Sequence, residues 1–182
     1  AVQAVGKLPI DVKDWGVDFL TISGHKFYAL KGIGVLYVRK GVKLDPFIHG
    51  GHQESQLRSG TENYSGIVSI GKAAQLIKSE MQDEINTVFS LKQKLIKGIE
   101  KKISDIRING SQKYCLPGTL NVSFKHVEGE SILLYLDLEG IAVSTGSACA
   151  TGSLEPSYVL RALGLEPETA HGSIRFSLGR EN

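Results

Sequence analysis

Two short apolar runs bounded by glycine, Val17 to Ile22 and Ile33 to Val38, flank a ten-residue connection from Ser23 to Gly32. Continuous apolar runs of this length are too short for a core helix, so they read as buried strands. From Tyr64 the period changes. Ile67, Ile70, Ala74, Ile77 and Met81 recur at three- and four-residue spacing, and Ile85, Val88, Leu95 and Ile99 extend the stripe. That pattern predicts an amphipathic helix. It is long for one globular helix, which places a break near Met81 to Glu84. Short strands followed by a helical stripe point to a mixed α/β protein.

Beyond Lys102, Gly118 to Lys125 alternates like a half-buried strand, and Glu130 to Leu138 reads as a helix closed by Gly140. Ile141 to Ser144 reads as a short strand and Gly172 to Leu178 as a final one. Pro156 to Leu163 carries proline early and Gly164 just after, as a helix does. The expected division puts residues 1–82 in one domain and residues 83–182 in a smaller α+β unit.

The chain has 182 residues, 41% hydrophobic and 22% charged, which excludes disorder and coiled coil as its main character. Its net charge, 21 − 19 = +2, is too small for a nucleic-acid footprint. Lys92 to Lys102 is the one basic concentration, read as the wet face of a helix. Two cysteines, Cys115 and Cys149, are too few for a disulfide scaffold or an unaided zinc site, and they suit a reducing, cytoplasmic setting. The longest apolar run, Ile132 to Leu136, falls far short of the roughly 20 residues that span a membrane. The chain opens on Ala1-Val2-Gln3 without methionine or a targeting pattern, and the expectation is a fragment.

Three places could carry chemistry. Lys26 follows Ser23-Gly24-His25 at the end of an expected strand, and Phe27 and Tyr28 follow it. An isolated loop lysine is ordinarily a surface residue. Here the adjoining hydroxyl, bare backbone amide and imidazole could hold a phosphate. Partial desolvation between the strands would favour the free amine that Schiff-base chemistry needs. Cys149 is surrounded by Ser144-Thr145-Gly146-Ser147-Ala148 and Ala150-Thr151-Gly152-Ser153. Free cysteines mostly pack as small hydrophobes, but neighbours this small and polar argue for a mobile, exposed loop. Cys115, between Tyr114 and Leu116, fits the packed reading better. Arg175 lies between Ile174 and Phe176, either as an exposed strand residue or as a fork for a carboxylate. His49 and His52, with two glycines between them and no helix, do not make a metal site. Lys31-Gly32-Ile33-Gly34 matches neither the P-loop nor the dinucleotide glycine pattern.

The segments SGHKFYALKGIGVLYVRKG, HGGHQESQLRSGTEN and STGSACATGSLEPSYVLRALGL, in that order, resemble cysteine desulfurases. These are pyridoxal-phosphate enzymes of the class V aminotransferase group, with an aspartate-aminotransferase-like fold. The resemblance implies an α/β architecture: residues 1–82 as the C-terminal part of the cofactor-binding large domain, residues 83–182 as a small α+β domain carrying the cysteine loop. The segment from Cys149 through LEPSYVLRALG resembles the long-loop type that feeds iron–sulfur cluster assembly.

By the same resemblance, Lys26 would be the Schiff-base lysine and Ser23 and His25 would hold the cofactor phosphate. Gln3 would meet the pyridoxal hydroxyl, and Thr61 would reach the phosphate of the other subunit in a homodimer. Arg175 would clamp the carboxylate of L-cysteine. Cys149 would take its sulfur as a persulfide, leaving alanine, and pass it to an acceptor or iron–sulfur scaffold protein. No metal, nucleic acid or membrane partner is implied. The family usually has Gly-Pro where this chain has Ala29-Leu30. Its aspartate for the pyridine nitrogen would fall before Ala1, so residues 1–182 alone are expected to be inactive. Selenocysteine lyases share these motifs. A truncated piece without cofactor, and a thiol relay using Cys149 alone, are the other readings; the relay leaves Lys26 unexplained.

Overall fold

The computed structural model describes residues 1–145 and 156–182. They form a mixed α/β structure in two compact units, Ala1–Gln82 and Asp83–Asn182. No described helix is long and apolar enough to cross a membrane.

In the first unit, β1 (Phe19–Ser23) pairs antiparallel with β2 (Gly34–Val38), Ser23 opposite Gly34 and Phe19 opposite Val38. The expectation of two buried strands does not hold. Leu20 is buried, but Phe19, Val35 and Leu36 are exposed. Each strand of this two-stranded sheet has a single partner, so neither lies between two others. The core forms instead where Phe27 meets Ile70 and Ala73, with Val5, Ile22, Ala29, Ile33 and Ile77 around them. Ile70, Ala73 and Ile77 come from α1 (Tyr64–Lys102), which starts on Asn63. The Asn63 side-chain oxygen accepts the Gly66 N–H at 3.1 Å, satisfying one of the free amides of the first turn. Near the chain start, the Asp11 carboxylate accepts the backbone N–H groups of Asp14 and Lys13, which hold its pKa below the usual value.

The expected break near Met81 to Glu84 is absent: α1 is one continuous helix. Its residues 72–97 contain neither glycine nor proline, so nothing in the backbone interrupts the ladder. Its last turn carries Lys101 and Lys102, cations placed where the helix dipole favours them.

The second unit is a four-stranded antiparallel sheet, ordered β3 (Ile106–Ile108), β4 (Thr119–Phe124), β6 (Ser173–Ser177), β5 (Ser144–Thr145). Connecting them are α2 (Gly129–Leu138), α3 (Tyr158–Ala162) and α4 (Pro167–His171). Leu120 and Val122 pack with Ile96 of α1, flanked by Ile106, Ile108, Phe124 and Phe176. Leu160, Leu165 and Ala170 form a second cluster. The strand β3 and the helix α4 were not expected; at three and five residues they are too short to show a period. One further correction concerns Lys92. It belongs to the stretch expected to face water, yet it is fully buried.

Candidate active site

The apolar run of β1 ends at Ser23, and the chain turns at once through a single 3₁₀ turn, Gly24–Phe27. Two features fix that turn. The Gly24 N–H donates to the Ile33 carbonyl at 2.9 Å, and Phe27 drops into the core. A Cβ on Gly24 would stand 2.8 Å from Ile33 Cγ2 and 3.0 Å from the Ile33 carbonyl oxygen, so the cradle excludes any side chain there. Tyr28 closes the turn in the left-handed region at φ 70°, its N–H donating to the Gly24 carbonyl.

Burial of Phe27 leaves its neighbours His25 and Lys26 exposed. The expected desolvation of Lys26 between strands is therefore not provided by them; Phe27 is the residue that packs. The Ser23 Oγ lies 3.0 Å from His25 Nδ1. With that hydroxyl donating to Nδ1, the opposite ring nitrogen carries the proton and can donate to an anion. A hydroxyl, an imidazole and a primary amine are thus carried by one glycine-cornered turn, the first two in contact. That donor set, and a corner that admits only glycine, fit a phosphorylated aldehyde such as pyridoxal phosphate.

The loop after Lys26 is held by a contact the sequence did not reveal. Leu30 N–H donates to Ser69 Oγ of α1 at 2.9 Å. A proline at that position, as the family usually has, could not make this bond. Ser69 precedes Ile70 on the buried stripe, but nothing in the period marks it as a loop anchor.

Gln3 and Thr61 are exposed and make no side-chain hydrogen bond among the described residues. The turn holding Gln3 is seated on β1, where the Ala1 nitrogen donates to the Thr21 carbonyl at 2.8 Å. Thr61 follows a strained stretch: Glu54, Ser55 and Gln56 all have positive φ, at 48°, 56° and 66°. Left-handed backbone costs non-glycine residues about 1–2 kcal/mol each. Around it, Ser59 Oγ donates to the His49 carbonyl at 2.9 Å and Gly60 N–H to Gln53 Oε1 at 3.1 Å. Strain held by such local bonds is characteristic of functional loops.

Arg175 lies in the second unit, on the inner strand β6, with Asn121 of β4 and Ser144 of β5 opposite it. Ile174 and Phe176 alternate to the apolar side and Arg175 to the other, where its Nε donates to Ser177 Oγ at 3.1 Å. The residue is half-buried, its Nε is held by a hydroxyl, and no carboxylate of the described residues takes its fork. The choice left by the sequence, exposed strand residue or carboxylate fork, narrows to a partly covered cation with donors to spare. Cys149, four residues beyond Thr145 in sequence, and the mobile loop expected around it lie outside the described residues.

The family described as "Aminotransferase class-V" matches residues 1–182. The "Cysteine desulfurase IscS" of Dictyoglomus turgidum is 56% identical over 179 residues, covering 98% of this chain and 45% of that protein. Among solved structures, the NifS-like protein from Rickettsia africae aligns with a TM-score of 0.88 at 33% identity, covering 100% of this chain and 47% of that one. "SspA in complex with cysteine" aligns with a TM-score of 0.72 at 36% identity, covering 98% and 49%. The chain spans about half the length of the curated relatives it matches.

Proposed function

The chain belongs to the aminotransferase class-V family, and on that premise we propose that the intact protein is a cysteine desulfurase. It takes sulfur from L-cysteine, leaves L-alanine and carries the sulfur as a persulfide on Cys149. The sulfur then passes to an iron–sulfur scaffold or another acceptor protein, in a cytoplasm reducing enough to keep both cysteines as thiols. The observation that carries this reading is the Ser23–His25 pair, 3.0 Å apart, beside an exposed Lys26 on a turn anchored by Phe27. The 56% identical relative named cysteine desulfurase and the fold neighbour solved with cysteine support it.

Pyridoxal phosphate, when bound, supplies an electrophilic aldehyde and a ring that draws electrons from the substrate. The chain's residues do the rest. Ser23 Oγ and the His25 imidazole hold the phosphate, Gln3 meets the ring hydroxyl, and Thr61 serves the other subunit of a homodimer. Lys26 Nζ would anchor the cofactor, and its amine would take the proton from the substrate Cα. Arg175 holds the substrate carboxylate by a two-pronged contact. The Cys149 thiolate attacks the substrate sulfur: an S–S bond forms, the C–S bond breaks, and its electron pair stays with the carbon, which a proton completes as alanine. In domain terms, residues 1–82 are the C-terminal part of the cofactor-binding domain and residues 83–182 the small domain carrying Cys149.

A single-turnover assay on the intact protein with pyridoxal phosphate and L-cysteine tests this. Alanine and a persulfide on Cys149 should appear in equal amounts, and Cys149→Ser should yield no persulfide. Alanine formed with no sulfur on Cys149 contradicts the assignment.

A further inference from the structure

Lys92 is fully buried on α1, and its hydrogen-bond partner among the described residues is a sulfur: Nζ lies 3.1 Å from Cys115 Sγ. The Phe89 ring lies 5.7 Å from the same nitrogen, and none of the described ion pairs includes Lys92. A lysine withdrawn from water in this way ordinarily needs a carboxylate; this one has a nucleophile instead. Cys115 itself is only partly covered, in the loop between β3 and β4. The Cys115 thiol also donates to the Gln112 carbonyl at 3.5 Å, a contact that limits its rotation. The chemistry assigned to Lys26, Arg175 and Cys149 uses neither residue.

We propose that Cys115 and Lys92 form a reversible oxidation site that takes a peroxide as oxidant and closes a sulfur–nitrogen cross-link. In the first step the Cys115 sulfur attacks the peroxide O–O bond. Sulfur gains an S–OH, the peroxide is reduced, and the thiol proton leaves with the displaced oxygen as water. In the second step Lys92 gives one proton to solvent, and its free amine attacks the oxidised sulfur. The S–N bond forms, the S–O bond breaks, and the departing hydroxide takes a proton from that nitrogen and leaves as a second water. Sulfenic acids condense with neighbouring thiols and with backbone nitrogen in this manner. A contact of 3.1 Å lies within the distance at which a held pair reacts as one molecule. The link joins α1 to the loop that enters β4, and a thiol reductant reopens it.

The test is peptide mapping of the intact protein after hydrogen peroxide, with thiols blocked and no reductant present. The expected product joins the peptides of Lys92 and Cys115, lighter by two hydrogens, about 2 Da, than their sum. Trypsin no longer cuts after Lys92, and dithiothreitol restores both peptides. Lys92→Met fills the same space without an amine, so Cys115 should then stop at a sulfenic acid trapped by dimedone. Cys115→Ser, a milder change that leaves Lys92 facing a hydroxyl, should keep trypsin cleavage after Lys92 under peroxide. Two results would overturn the proposal: Cys115 oxidised in the unaltered protein while Lys92 is still cleaved, or Cys115 untouched by peroxide that fully oxidises glutathione.

Discussion

Arg175 is held at one end, and among the described residues no carboxylate takes the other. Its Nε is engaged by Ser177 Oγ at 3.1 Å, while Asn121 and Ser144 flank it on the neighbouring strands. A charge-assisted hydrogen bond contributes roughly 1.5–3 kcal/mol. Arg175→Ala should therefore raise the KM for L-cysteine on the order of 10- to 100-fold in the intact protein, with Cys149 still reactive toward alkylating agents. Arg175→Lys should recover only part, because a single ammonium cannot match the fork. Steady-state kinetics with thiol labelling checks this; an unchanged KM in Arg175→Ala removes the residue from substrate binding. The alternation around Arg175 was legible in the sequence, since Ile174 and Phe176 bracket it, but its partner was not. Ser177 becomes visible only once residues two apart are known to share a face. Lys92 carried a signal that was misread. It falls midway between Val88 and Ile96, at four-residue spacing on the buried face, and only its charge suggested water.

At the scale of elements, the turn after β1 depends on a glycine that its neighbours require. In Gly24→Ala the new Cβ would press on Ile33 Cγ2, which can swing, and on the Ile33 carbonyl, which cannot, because it accepts the residue 24 N–H. Overpacking of this kind costs about 1–3 kcal/mol. The expected result is a lower Tm together with weaker pyridoxal-phosphate binding, read by thermal unfolding and cofactor titration of the same variant. Normal values of both would mean that the corner is not what places Lys26. The strands around this turn were legible because their apolar runs end in glycine and serine. The register was not, because pairing across Ser23 to Gly32 is decided by the turn and by Phe27 rather than by either run alone. The continuity of α1 is not legible from length, which suggests a break; a helix needs a chemical cause to break, and residues 72–97 supply none.

At the scale of the molecule, Ser23, His25 and Lys26 lie in the first unit and Arg175 in the second. Division of this kind is not readable from periodicity, which reports local faces and not long-range placement. The motifs point to expected roles for these residues; the structure adds how Ser23, His25 and Arg175 are held. Among these assignments, that of Lys26 to the cofactor is the one on which the others depend. The most direct test is borohydride reduction of the intact protein loaded with pyridoxal phosphate, followed by sequencing of the labelled peptide. The label should sit on Lys26 and vanish in Lys26→Ala. A label on any other lysine, or one that survives Lys26→Ala, would contradict the account.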